Sequence, residues 1–302
     1  MKVVLASSSD IAQPILEALL DSQHQLVAAL SMPDKPAGRG RQIQPNSFSK
    51  LCERSGVPVF KPETHIELRE VLRELEPDLV ITIAYGRLIK ATELSLPKLG
   101  WLNIHFSLLP QWRGAAPLQR AILQGDSETG ISIFRLDEGM DTGPVYATHK
   151  VSLKGNETYG SLLNDLSLLA APVLLTVLAQ IENGDSPIPQ TEEGATLAPK
   201  LSTEEARIDW RKSAKEIERQ VRAMNPWPIA WTTVNDKRLS ILRTCVHNLA
   251  GNPGEILSLE PFVIGCGVEA IEISFLKPEG KAEMSSAEWL RGARISKGEF
   301  LR

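Results

Sequence analysis

Asn103 and His105 stand two apart in Asn103-Ile104-His105, and alternation along an extended chain sends both side chains to one face of a strand. An amide and an imidazole facing one reacting atom suit the transfer of an acyl group to an amine. Negative charge builds on the carbonyl oxygen during attack, and a fixed donor beside it lowers the barrier by roughly 3 kcal/mol in comparable oxyanion sites. The attacking nitrogen must also lose a proton. Imidazole, with an unperturbed pKa of about 6.5, serves both tasks near neutral pH, and a neighbouring carboxylate tunes its charge. Asp141, in Asp137-Glu138-Gly139-Met140-Asp141-Thr142-Gly143, is the candidate carboxylate, with two glycines that permit a sharply turned loop. Taken singly, each of the three residues reads more readily as structure than as chemistry, Asp141 as a turn cap for instance.

The elements that must position these groups are legible as alternating strands and helices. Short apolar runs at 3–6, 26–32, 79–84 and 100–104 read as buried strands, with a shorter one at 57–60. Between them, 11–20, 48–54 and 66–75 place apolar residues three and four apart, as helices covering a sheet do. This predicts an α/β domain of Rossmann-like type with a parallel sheet, and Asn103 falls where a strand leaves that sheet, the usual place for its sites. The first strand runs into Ala6-Ser7-Ser8-Ser9-Asp10 in place of a glycine-rich turn, which argues against NAD or FAD and against a nucleotide-binding dehydrogenase. Two further strands at 130–136 and 145–151 and a long helix at about 157–181 close the domain. The segment 183–199, rich in Gly, Pro, Thr and acids, reads as a linker. The expected division is a catalytic domain over 1–183, a linker over 184–205 and a tail over 206–302. In the tail a helix at 213–224 precedes short strands at close spacing, which predicts a small OB-like β-barrel.

Composition excludes several classes. A net charge of -4 and a pI near 5.8 argue against binding nucleic acid through overall basicity, so any RNA contact is local. From Ala206 onward, Lys and Arg exceed Asp and Glu by roughly three, which makes the tail the least repulsive surface for an RNA backbone. Three scattered cysteines, Cys52, Cys245 and Cys266, form neither a disulfide framework nor zinc spacing and read as packing residues, with no metal expected. Met1 to Ala6 lack the features of a secretory signal, which predicts a cytoplasmic address. The most apolar stretch, 162–181, is interrupted by Asn164, Asp165, Ser167 and Pro172 and reads as a buried or amphipathic helix, with no membrane span.

Read together, the segments carry more than each does alone. Asn103-Ile104-His105-Phe106-Ser107-Leu108-Leu109-Pro110, Trp112-Arg113-Gly114-Ala115-Ala116-Pro117, Gly125-Asp126 to Thr129-Gly130, and Asp141-Thr142-Gly143 resemble the methionyl-tRNA formyltransferase family in order and spacing. So do Pro33-Asp34-Lys35-Pro36-Ala37-Gly38-Arg39-Gly40, the run Lys200 to Trp210, and Asn225-Pro226-Trp227-Pro228, and the resemblance reaches across nearly the whole chain. It implies a formyltransferase domain followed by a tRNA-binding barrel, acting on 10-formyltetrahydrofolate and methionyl initiator tRNA as a monomer. By the same resemblance Asn103, His105 and Asp141 are catalytic, Ser107, Leu108, Leu109 and Pro110 line a folate pocket, and Lys35, Arg39 and Arg41 meet the acceptor end of the tRNA. Arginine suits that task through its bidentate fork for phosphate. Lys200, Lys215, Arg219, Arg222, Lys237 and Arg238 could extend the contact, and Trp227 and Trp231 read as packing residues. The chain departs from the family pattern at Ser7-Ser8-Ser9, Phe106, Gln111 and Pro144. The rival readings are another 10-formyltetrahydrofolate-dependent formyltransferase or hydrolase, and a non-catalytic RNA-binding protein on the same scaffold.

Overall fold

The apolar runs of the first half pair into one seven-stranded sheet. The computed structural model describes residues 1–37 and 42–302. In chain order its first elements are β1 (Lys2–Ala6), α1 (Gln13–Leu20), β2 (Gln25–Leu30), β3 (Lys35–Ala37), β4 (Gln42–Gln44), α2 (Ser47–Arg54), β5 (Val59–Phe60), α3 (His65–Leu75) and β6 (Leu79–Thr82). There follow α4 (Ala91–Leu94), β7 (Trp101–His105), α5 (Pro117–Gln124), β8 (Glu128–Arg135), β9 (Val145–Ser152) and α6 (Tyr159–Glu182). The sheet runs β5-β2-β1-β6-β7-β8-β9. β5, β2, β1, β6 and β7 are parallel, and Val3, Val4, Leu5, Val80, Ile81 and Leu102 are fully buried, the uninterrupted apolar reading that strands covered on both faces require. These five strands are the expected parallel sheet, and β8 extends it antiparallel to β7. That reversal sets Ser132 opposite His105.

One pair of strands lies outside the expected elements, and α6 is the long helix expected at about 157–181. β3 and β4 pair antiparallel, Lys35 opposite Gln44 and Ala37 opposite Gln42, and their Lys, Pro and Gln residues carry none of the apolar alternation that marks a strand. Pro172 lies inside α6 without ending it, so the helix reaches 24 residues and is, by length and composition alone, long and apolar enough to cross a membrane. Leu166, Ala170, Leu174, Val177 and Leu178 on that helix are buried.

The chain divides into two compact units, one made of 1–114, 129–151 and 163–197, the other of 115–128, 152–162 and 198–302. The second adds α7 (Ala214–Ala223), β10 (Trp231–Val234), β11 (Lys237–His247), β12 (Ile256–Leu259), β13 (Phe262–Gly265), β14 (Ala270–Pro278), β15 (Met284–Ser285) and α8 (Ser286–Ala293). α7 starts at a capping box in which the Ser213 hydroxyl accepts from the Glu216 N–H and the Glu216 carboxylate accepts from the Ser213 N–H. The antiparallel path is β10-β11-β14-β13-β12, with β15 beside β14. No pairing between β10 and β12 is found among the described residues. The last residues span that opening instead: Arg302 exchanges both backbone bonds with Thr233 of β10, and the Glu299 carbonyl accepts from Ile256 of β12. The tail thus curls its sheet towards a barrel, and Leu301, 3% exposed, fills the core against Ile241, Ile256 and Ile273. Leu301→Ala is expected to cost this unit about 2–4 kcal/mol, read as a fall in the urea midpoint.

Cys52 and Cys266 are buried as expected, and burial pushes their thiols up to about 11 and about 12; Cys245 is exposed. Trp227 is also exposed, at 51%, so of its two readings, domain-interface or core packing, the second is overturned, whereas Trp231 packs on the core.

Candidate active site

β7 ends by presenting Asn103 and His105 at the margin of the sheet. The Thr82 hydroxyl, at the end of neighbouring β6, shares its proton between the Leu102 carbonyl at 2.9 Å and Asn103 Oδ1 at 2.8 Å. That anchors the oxygen end of the Asn103 amide, and Nδ2 has no hydrogen-bond partner among the described residues. Thr82→Val keeps the shape and removes the anchor, so the amide can turn its oxygen outward. If Nδ2 is the working donor, kcat should fall about tenfold with KM little changed, a loss comparable to one hydrogen bond.

His105, only 6% exposed, has an oxygen at each ring nitrogen. Nε2 lies 2.9 Å from the Trp112 carbonyl, and Nδ1 lies 3.6 Å from Asp141 Oδ2. A neutral imidazole has one N–H and can donate to only one of them, whereas the imidazolium donates to both. The Phe134 ring meets the imidazole edge-on at 6.4 Å and closes one side of it.

The loop carrying Asp141 is turned sharply, with a close neighbour at each glycine. Gly139 and Gly143 supply close approach, while the left-handed conformation belongs to Asp141 itself, at φ 55°. A Cβ on Gly143 would stand 1.8 Å from the Arg135 carbonyl, and one on Gly139 would stand 2.0 Å from Thr142 Oγ1. Asp137 Oδ1 accepts from the Gly139 N–H and the Thr142 hydroxyl, which turns the chain. Asp141 Oδ2 then accepts the Gly114 N–H at 2.8 Å.

Ser107 to Pro110 form a turn pinned from beneath. Ser132 on β8 donates to the Ser107 carbonyl at 2.7 Å and accepts the Leu109 N–H at 3.1 Å. The Ser107 hydroxyl donates to the Gln111 carbonyl at 2.6 Å, and the Gln111 N–H to the Leu108 carbonyl. Leu108, Leu109 and Pro110 are left half-buried on a fixed backbone. At the departures from the family pattern, the Ser8 hydroxyl and N–H donate to the Tyr85 and Ala84 carbonyls, tying the exits of β1 and β6 together, and Phe106 is buried. Tyr85 is itself buried, its hydroxyl has no hydrogen-bond partner among the described residues, and burial pushes its phenol up to about 12.

Thr82, Ser132 and Gln190 escaped the sequence reading, although a hydroxyl within each apolar run, Leu79 to Thr82 and Ile131 to Ile133, is a signal that a buried partner awaits it. Gln190 carried no local signal. Of the expected RNA contacts, Lys35 lies exposed on β3, and Arg39 and Arg41 lie outside the described residues. In the second unit Arg222 is held by Glu218 and by the Glu157 carbonyl, Arg219 donates to the Gln124 carbonyl, and Arg238 lies 4.7 Å over the Trp231 ring. Lys200, Lys215 and Lys237 are exposed.

Residues 1–178 match the formyl transferase family model, and residues 200–294 match that of the formyl transferase C-terminal domain. Fold and site thus define an enzyme of the one-carbon transferase class. The chain is 41% identical to the methionyl-tRNA formyltransferase of Magnetococcus marinus, covering 99% of this chain and 98% of that one, and 41% identical to that of Streptomyces coelicolor, covering 99% of each. It belongs to the methionyl-tRNA formyltransferase family. A crystal structure of HypX from Aquifex aeolicus in complex with tetrahydrofolic acid shares the fold, with a TM-score of 0.69 at 23% identity over all of this chain and 50% of that one.

Proposed function

We propose that this chain transfers the formyl group of 10-formyltetrahydrofolate to the α-amino group of methionine esterified to initiator tRNA. The observation that supports it most is the pairing of His105 with Asp141 at 3.6 Å, together with an Asn103 amide held by its oxygen end, whose donor end has no partner among the described residues. The loop 107–110 fits a flat pterin, because its leucines and proline offer apolar surface on a backbone already held in place. When bound, the formylfolate supplies the one-carbon unit.

Asn103 Nδ2 donates to the formyl oxygen as charge gathers there. The methionine nitrogen forms its bond to the formyl carbon as that carbon parts from the folate nitrogen. His105, poised by Asp141, takes the proton shed by the amine and returns it to the departing nitrogen. Lys35, Arg39 and Arg41 hold the acceptor end of the tRNA, and the exposed lysines of the tail extend that contact along the backbone. The protein acts as a cytoplasmic monomer that engages no membrane.

Incubation with formylfolate and charged initiator tRNA, beside charged elongator methionine tRNA and glycinamide ribonucleotide, tests the reading. Formylmethionine on the initiator alone is the expected product. Formylation of the ribonucleotide, release of formate without an acceptor, or tRNA binding without turnover would each replace it with one of the rival functions.

A further inference from the structure

The segment after α6, whose composition reads as a linker, is stitched onto the candidate site. Ile188 and Val145 exchange backbone bonds at 2.7 and 2.8 Å, the Trp112 N–H donates to Thr196 Oγ1 at 2.8 Å, and the Arg113 N–H donates to the Thr196 carbonyl at 2.9 Å. Between these attachments sits Gln190, and both ends of its amide are used. Nε2 donates to the Asp141 carbonyl at 2.8 Å and the Gly143 carbonyl at 2.7 Å, so each amide hydrogen has its own acceptor. Oε1 accepts from Arg113 Nε at 3.2 Å and Nη2 at 3.0 Å. Arg113 is 6% exposed, and its remaining donors meet the Glu192 carboxylate.

The two segments joined by Gln190 are the two that furnish the surroundings of His105. On one side is Asp141, in a left-handed conformation whose cost other contacts must cover. On the other, Arg113 stands between the Trp112 carbonyl, which meets Nε2, and the Gly114 N–H, which holds the Asp141 carboxylate. We propose that Gln190 is a positioning residue for formyl transfer, fixing the Asp141 carboxylate against the His105 ring through the Asp141 and Gly143 carbonyls and the Arg113 guanidinium. This rests on the function proposed above. Gln190 itself touches no reacting atom; its effect is on where the carboxylate stands, and a displacement of about 1 Å at a catalytic group costs on the order of a hundredfold in rate.

Gln190→Met keeps the length and removes all four hydrogen bonds. In formyl transfer to charged initiator tRNA, kcat should fall about ten- to a hundredfold while KM for tRNA and for formylfolate moves less than about twofold. The pH profile of kcat should shift as well, since the partner of His105 has moved. Comparison in an Asp141→Ala background separates positioning from a general loosening of the fold: once the carboxylate is gone, Gln190→Met should cost less than about twofold more. An equal loss in both backgrounds, or kcat and pH profile unchanged in the single variant, overturns the proposal. Should Gln190→Met unfold at the assay temperature, Gln190→Glu is read in the same way, since it keeps the shape and sets a carboxylate oxygen against the two carbonyls. Absence of transfer by the unaltered protein would instead count against the function itself.

Discussion

His105→Ala is expected to lower kcat for formyl transfer by about 10²- to 10⁴-fold, the range that a positioned acid–base group contributes. The ring is placed by contacts from three segments: Trp112 at Nε2, Asp141 at Nδ1, and Phe134 against its edge. Affinity for charged tRNA should stay within about twofold, because a residue 6% exposed at the end of β7 offers the nucleic acid little surface. Single-turnover formylation and equilibrium tRNA binding, measured on one preparation, check both halves. A rate within threefold of the unaltered protein would remove His105 from the chemistry.

The second large effect concerns the amide. Asn103→Ala should cost about 10²- to 10³-fold in kcat, as removal of one oxyanion donor does elsewhere. Asn103→Asp is the more discriminating change. It preserves size and can still accept the Thr82 hydroxyl, yet it replaces the Nδ2 donor with a carboxylate oxygen facing the developing charge. If the amide serves as a donor, the aspartate variant is at least as impaired as the alanine variant, with the fold intact by thermal melting. Activity retained by Asn103→Asp would mean that Asn103 is only a packing residue beside Thr82.

Much of the fold was legible because short-range patterns carry it. Period-two alternation placed Asn103 and His105 on one side of β7, and the continuous apolar runs of β1 and β6 announced strands covered on both faces. Asp141 was legible from a loop whose residues turn the chain; the left-handed conformation there is its own, and crowding against Arg135 and Thr142 accounts for the two glycines. Long-range pairing stayed hidden. Nothing in the strand-like run at 130–136 tells that it lies antiparallel to β7, and that orientation alone brings Ser132 under the loop at 107–110. Gln190 lies 49 residues from Asp141 and 77 from Arg113, in a stretch with linker composition, so its role emerged only from the three-dimensional arrangement. The closing tail at 298–302 was unreadable for the same reason: its partners, Thr233 and Ile256, are distant in sequence and joined through backbone atoms common to every residue.

The most direct measurement is the single-turnover rate of formyl transfer in a cycle of four proteins: unaltered, Asn103→Ala, His105→Ala and the double variant. Residues that stabilise one transition state together show strong non-additivity. The double variant should then be no more than about tenfold slower than the worse single variant, although each single loss exceeds about a hundredfold. Two losses that multiply in full would contradict joint action at one formyl oxygen.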